Sequence, residues 1–247
     1  MGVMVMDTAT DALGVGIGAT DGTLYTGVVQ RVLRGHSRLL QPTLQFALQS
    51  SGQEVVNLQQ LGVGIGPGSY TGVRMGVATA KAMAHTLGVP LTTIPTLDAI
   101  ALAAGHTCIA APRRVLVLLF ARRQRAFGAW FSLDKGMLVA REDATVREVS
   151  SWLATIPANV IAGRAPVCVH DFPAAQMGQL DGMPDGVDVI EWRYASGGLP
   201  QALLRLTVTG SYPFFTGERL HDVAPEYALP VEAEAKLQEE LERGGRA

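Results

Sequence analysis

The sequence predicts an α/β protein in which helices flank mixed sheets, built from one unit used twice. Two observations carry this reading. Short apolar strands alternate with segments of helical period, and an apolar strand followed by a turn-closed hairpin occurs near the start and again in the middle of the chain. Asp21-Gly22 follows Asp7 at nearly the distance at which Lys135-Gly136 follows Phe120, and Phe127, Ala129 and Phe131 alternate between them as Leu13, Val15 and Ile17 do.

Val3–Met6 is a short apolar strand that stops at the polar turn 7–11. Leu13, Val15 and Ile17 alternate with glycines, and Asp21-Gly22 turns the chain into a returning strand at 24–29. Residues 36–50 read as a helix closed by Gly52, with Pro42 predicting an irregular first turn. A strand at 61–65, a Gly/Pro loop, a helix over 71–87 ended by Gly88, a strand at 91–94 and a helix N-capped by Thr96 complete the first unit. Val115–Phe120 opens the second, whose helices carry weaker signals. The charged stretch 232–247 predicts a terminal helix. The expected division is 1–108, 109–220 and a C-terminal helix in 221–247.

Composition narrows the function classes. Of 247 residues 48% are hydrophobic and 17% charged, which argues against a disordered chain and a coiled coil. A net charge of -2 draws the chain strongly to neither nucleic acid nor anionic lipid. Two cysteines make no disulfide scaffold, and no apolar run has the length of a membrane helix, so a cytoplasmic protein is expected. Between residues 22 and 97 the only acid is Glu54, too little charge to cover a solvated surface.

Two segments could carry chemistry. In Asp7-Thr8-Ala9-Thr10, the hydroxyls of Thr8 and Thr10 could donate to a phosphate while the Asp7 carboxylate holds a cation through water; a plain polar turn reads as well. Gly66-Pro67-Gly68-Ser69-Tyr70-Thr71-Gly72 joins a strand to a helix, a place where free amides hold an anion, or where small residues let two backbones approach. The helix that follows carries one stripe of Val73, Val77, Ala80, Ala84 and Leu87 and a second face of Met75, Ala78, Ala82 and Met83. That second face suits burial within the domain or a partner subunit equally. No histidine pair has metal-ligand spacing and no Gly-x-Ser-x-Gly elbow occurs, so neither a metal site nor a catalytic residue is assigned.

Asp7-Thr8-Ala9-Thr10, the block 36–42 from His36 through Leu40 to Pro42, the run 62–81 and Pro225-Glu226-Tyr227 with the acidic tail after it together resemble the TsaB (YeaZ-like) family. The similarity covers the first 105 residues closely and residues 140–210 loosely. It implies an actin/hsp70-like fold of two ribonuclease-H-like lobes and a role in making N6-threonylcarbamoyladenosine at position 37 of tRNA. It further implies a non-catalytic partner of the TsaD transferase, with the TsaE ATPase joining and tRNA engaged through the complex. No cofactor of its own is expected, with ATP or ADP at the partner boundary.

Within that resemblance, Leu40 stands where the transferases complete an HxxxH metal motif begun at His36, and Phe120 stands where the second lobe should offer a carboxylate. The partner face is expected at His36, Leu40, Leu44, Tyr70, Arg74, Met75, Ala78, Lys81 and Ala82, which could also close a homodimer. The phosphate-type loops are expected at Asp7, Thr8, Thr10, Gly66, Gly68, Ser69, Thr71 and Gly72. An independent ATP-dependent acyl or phosphoryl transferase, or a glycoprotease-like peptidase, is the alternative.

Overall fold

The computed structural model describes residues 2–33, 35–107, 114–157 and 165–226. The tail in which a terminal helix is expected, 232–247, lies outside them. Among the described residues the chain builds two mixed sheets. The first contains β1 (Gly2–Asp7), β2 (Ala12–Ala19), β3 (Leu24–Arg31), β4 (Leu58–Gly64) and β5 (Leu91–Ile94). Its helices are α1 (His36–Ser51), α2 (Tyr70–Leu87) and α3 (Thr96–Thr107).

The second sheet contains β6 (Arg114–Ala121), β7 (Arg125–Asp134), β8 (Met137–Arg141), β9 (Thr145–Glu148), β10 (Val167–His170) and β11 (Asp188–Glu191). Its helices are α4 (Val149–Leu153), α5 (Trp192–Ala195) and α6 (Leu199–Val208), and β12 (Phe214–Phe215) follows.

The internal repeat is visible in the strand order. The first sheet runs β12-β5-β4-β1-β2-β3 and the second β11-β10-β6-β7-β8. In each, the first strand pairs antiparallel with its hairpin partner and parallel with the strand after the crossover. The two-lobed architecture implied by the resemblance is therefore present. The repeat is imperfect in one place: the counterpart of β3 is split, with β8 pairing the end of β7 and β9 pairing its start. The polar break Glu142-Asp143 between them interrupts what would be one strand.

Packing explains why the sheets stay together. α1 and α2 cover the outer face of the first sheet, where Met4, Met6, Leu13, Val15 and Ile17 meet Leu40, Leu44, Val73 and Val77. On the inner side Val3, Val5, Val115 and Val117 share one core with α3 and α6. Here the structure departs from a simple division at residue 108. α3 packs mainly on the second sheet, α6 packs on the first, and the two helices pack on each other. β12, inside the expected 109–220 unit, pairs with β5 of the first sheet. Each lobe thus supplies a helix to the other's apolar face, which neither could bury alone.

Pro42 sits inside α1 without ending it. Its ring lies on the exposed side, and the helix is held by burial of Leu40, Thr43, Leu44 and Ala47 on the other. The C-caps fall at Gly52 and Gly88, both left-handed, as the sequence predicts. Thr96 differs from its expected role. Its hydroxyl donates to Asp7 Oδ2 (2.8 Å) and accepts from the Gly66 amide (3.1 Å), so it ties α3 to two loops rather than capping its own helix.

Candidate functional site: the cleft between the lobes

β1 and β4 of the first lobe and β6 and β10 of the second end at the same cleft, as parallel neighbours in α/β sheets do. It encloses about 520 Å³ and is lined by Thr10, His36, Ser69, Thr71 and Gly72 from one side and Phe120 and Asp171 from the other. Gly68 and Met75 also line it, whereas Asp7, Thr8 and Gly66 do not.

The expected phosphate loop is turned inward. Asp7 is buried, with Oδ1 accepting from the Ala9 amide (2.7 Å) and Oδ2 from the Thr96 hydroxyl. Burial pushes its carboxyl up to about 6 against those hydrogen bonds and the pull of His36. The Thr8 hydroxyl donates to the Gly72 carbonyl oxygen (2.6 Å). Thr10 Oγ1 accepts from the Ala12 amide (3.1 Å) and from Trp192 Nε1 (3.0 Å). Asp7 and Thr8 are therefore corrected to a structural turn, because their polar atoms are matched to buried groups that would otherwise be orphaned, whereas Thr10 lines the cleft and in both of these bonds acts as acceptor.

The glycine-rich loop serves the same packing. A Cβ on Gly68 would overlap the Ala9 carbonyl oxygen, and one on Gly72 would overlap that of Thr8. The Ser69 amide donates to Ala9 O (2.6 Å), and Ser69 Oγ caps the Gly72 amide (3.3 Å). Of the two readings left open by the sequence, close backbone approach accounts for these glycines, and part of the supposed anion-binding amides is already engaged. Gly72→Ala should therefore destabilise the fold by about 2–3 kcal/mol through overpacking. Urea unfolding tests this; a loss below about 0.5 kcal/mol would show that the turn can move aside.

The expected partner residues divide into four sets. Leu40 and Leu44 are buried core and leave the face altogether, because α1 needs them to cover the sheet. His36 and Met75 line the cleft, and His36 Nε2–H donates to Thr10 O (2.9 Å). Lys81 donates to the carbonyl oxygens of His221 (3.0 Å) and Val223 (2.8 Å), pinning the last described segment along α2. Tyr70, Arg74, Ala78 and Ala82 are exposed, with the Arg74 guanidinium stacked 4.0 Å from the Tyr70 ring. Beside them α1 exposes Phe46 (57%) and Leu39, and the loop before it exposes Leu33 (77%).

Sequence reasoning missed Asp171. Its carboxyl group is set deep at the cleft end of β10, accepts from the Phe120 amide (2.6 Å) and is pushed up to about 7, first by burial. Phe120 does lack a carboxylate, but the neighbouring strand supplies one. The signal was present: an apolar strand ending in Asp, as in β1. Among the described residues no group of three or more His, Cys, Asp and Glu is placed to hold a metal ion.

Comparison with known proteins places this geometry. The family described as "TsaD: tRNA N6-adenosine threonylcarbamoyltransferase" matches residues 22–160. An uncharacterized protein of Mycobacterium leprae is 36% identical over 142 residues, 56% of this chain and 37% of that protein. The tRNA threonylcarbamoyladenosine biosynthesis protein TsaB of Escherichia coli is 32% identical over 135 residues, 55% of this chain and 57% of its own length. The chain thus spans about half the length of the curated relatives it matches, and less of the first. A crystal structure of an uncharacterized protein with similarity to peptidase YEAZ, from Pseudomonas aeruginosa, superposes with a TM-score of 0.73 at 19% identity, covering 92% of this chain and 99% of that one. That likeness concerns the fold.

Proposed function

This chain belongs to the family described as TsaD: tRNA N6-adenosine threonylcarbamoyltransferase, and on that premise we propose that it acts as a TsaB-like, non-catalytic partner of a TsaD-like transferase in forming N6-threonylcarbamoyladenosine on tRNA. A TsaE-like ATPase would join that pair, and tRNA would be engaged through the assembly. Its similarity to proteins named for threonylcarbamoyladenosine biosynthesis supports the pathway. One observation supports the partner role above the others: α1, α2 and the loop before α1 leave an exposed face of Leu33, Leu39, Phe46, Tyr70, Ala78 and Ala82.

The chemistry of the cleft supports the non-catalytic part. Phosphoryl transfer needs ionised carboxylates aimed at a metal-bound phosphate. Asp7 is spent on Ala9 and Thr96 and lies outside the cleft lining, so of the two strand-end aspartates only Asp171, pushed to about 7, faces the cleft. On this reading a nucleotide, if held, sits at the boundary with the partner and is turned over elsewhere.

The test uses the full chain and the transferase from the same genome. Ala78→Glu and Ala82→Glu place a charge on the exposed face without touching the core, so thermal unfolding should be unchanged. Each should weaken association at least tenfold, about 1.4 kcal/mol, because the carboxylate must be desolvated without a partner. Unchanged affinity in both variants would reject this face, and metal-dependent ATP hydrolysis by the isolated chain would reject the non-catalytic reading.

A further inference from the structure

Arg31, Arg114, Arg141 and Arg193 each lie against a carboxylate, those of Asp11, Glu142, Asp98 and Glu191 in turn. Three other arginines do not. Among the described residues Arg38, Arg123 and Arg125 form no ion pair. All three stand at the mouth of the cleft between the lobes. The Arg38 guanidinium lies beside Gly35, with Nη2 3.4 Å from where a Cβ on that glycine would fall, and Gly35 lines the cleft. Across the opening, Leu119, Phe120 and Phe127 line the second wall, so the β6–β7 turn at residues 122–124 projects from its rim. Arg125 shares a strand face with Phe127 and so looks towards the cleft.

Two features make this rim favour anions. Beside Arg38, α1 starts at Gly35 with no side-chain cap and no acid in its first turn, so the positive end of its dipole is left uncompensated. The facing turn holds Arg123 at φ 62° and Gln124 at φ 58°, the left-handed region in which Asn and Gly are favoured. Turn stability does not account for an arginine there. The opposing charges are Glu148, opposite Arg125 on β9, and Asp171, pushed up to about 7 and engaged by the Phe120 amide. With Arg122 in the same turn, the rim keeps an excess of positive charge on a chain whose net charge is -2.

We propose that this rim binds the phosphate backbone of tRNA, through Arg38 from one lobe and Arg123 and Arg125 from the other. Arg38 and Arg123 are exposed and Arg125 is half-buried, so all three reach solvent. They are spread over two lobes and do not converge on one point, which suits a repeating anion better than a single small one. The choice of tRNA rests on the pathway proposed above. Arg123 and Arg125 lie on a different lobe from Ala78 and Ala82, so this contact and the partner face fail or hold separately.

The probe is an unmodified, fluorescently labelled tRNA transcript with adenosine at position 37, titrated with the full chain between about 50 and 200 mM salt. Saturable binding is expected, with log K falling against log salt at a slope of about -2 to -3, as three phosphate contacts give. Arg123→Gly suits the left-handed turn, so thermal unfolding should be unchanged or raised. It should nevertheless weaken binding about threefold or more and reduce the slope by about 1. Arg38→Gln should have the same effect on binding, and Arg123→Gly combined with Arg125→Gln should lose at least about tenfold. Both hairpin variants should associate with the transferase as the wild type does. No saturable binding at about 50 mM salt would overturn the proposal, as would undiminished affinity in Arg38→Gln or in the double variant. Complete displacement of the tRNA by about 1 mM ATP would also overturn it, by placing a nucleotide at the rim. So would a hairpin variant that loses the transferase and keeps tRNA, because the hairpin would then be a protein interface.

Discussion

Arg141→Ala is expected to lower stability by about 3 kcal/mol at pH 8, with most of that loss gone near pH 4. Asp98, in the first turn of α3, is 2% exposed. Arg141 Nη1 reaches its two oxygens at 3.2 and 3.4 Å, and the Tyr212 hydroxyl donates to Oδ2 at 2.8 Å. Arg141 lies on β8 of the second sheet and Tyr212 just before β12 of the first, so this one carboxylate ties both sheets to the helix between them. Burial raises its pKa while Arg141 and then Tyr212 oppose the rise. Without the guanidinium, nothing charged offsets the desolvation, and the folded pKa climbs further.

The sign follows from where the proton sits. An acid with a raised folded pKa binds more protons folded than unfolded, so the penalty is absent below the unfolded value and grows as pH rises towards the folded one. Arg141 is itself 38% exposed, which keeps the figure at the lower end for a broken buried pair. Replacing the pair together, as Asp98→Leu with Arg141→Met, should recover part of the loss. A single Arg141→Ala loss that is equal at pH 4 and pH 8 would mean that packing of the arginine stem, and not its charge, holds α3.

Much of this architecture was legible because its signals are local. Strand alternation in β2 and β7, the hairpin glycines and the C-cap glycines all report backbone conformation within a few residues, and each was placed correctly. The exchange of α3 and α6 between sheets was not legible. Both helices are apolar on most sides, and periodicity says which face is buried but never against which sheet. The same limit applies to the candidate site. Asp7, Thr8 and Thr10 have the residue types of a phosphate loop, yet whether their oxygens point outward depends on Gly72, Thr96 and Trp192, which are remote in sequence. Lys81 likewise looked available for a partner until the carbonyl oxygens of residues 221 and 223 were brought beside it.

Asp171→Asn is expected to stabilise the protein at pH 8, by about 2–3 kcal/mol, and to have little effect near pH 4. Asparagine keeps an oxygen acceptor for the Phe120 amide while removing the group that must ionise in a buried place. In the wild type Asp171 is pushed to about 7 and Asp7 to about 6, both from an ordinary 3.8. Each therefore contributes stability that is whole below pH ~4 and is lost as pH rises through its folded pKa. Two such groups should make the free energy of unfolding fall between pH ~4 and pH ~7 and level off above that. A tenfold change in an ionisation equilibrium corresponds to about 1.4 kcal/mol, so the ceiling from Asp171 alone is about 4 kcal/mol; water entering the cleft that it lines reduces this. Urea unfolding at intervals across that range separates the contributions. Asp171→Asn should flatten the upper part of the curve, above pH ~6, and leave the part governed by Asp7 in place. A variant whose slope matches the wild type throughout would place Asp171 ionised in the folded protein, and the cleft would then carry the fixed negative charge that metal-assisted phosphoryl transfer requires.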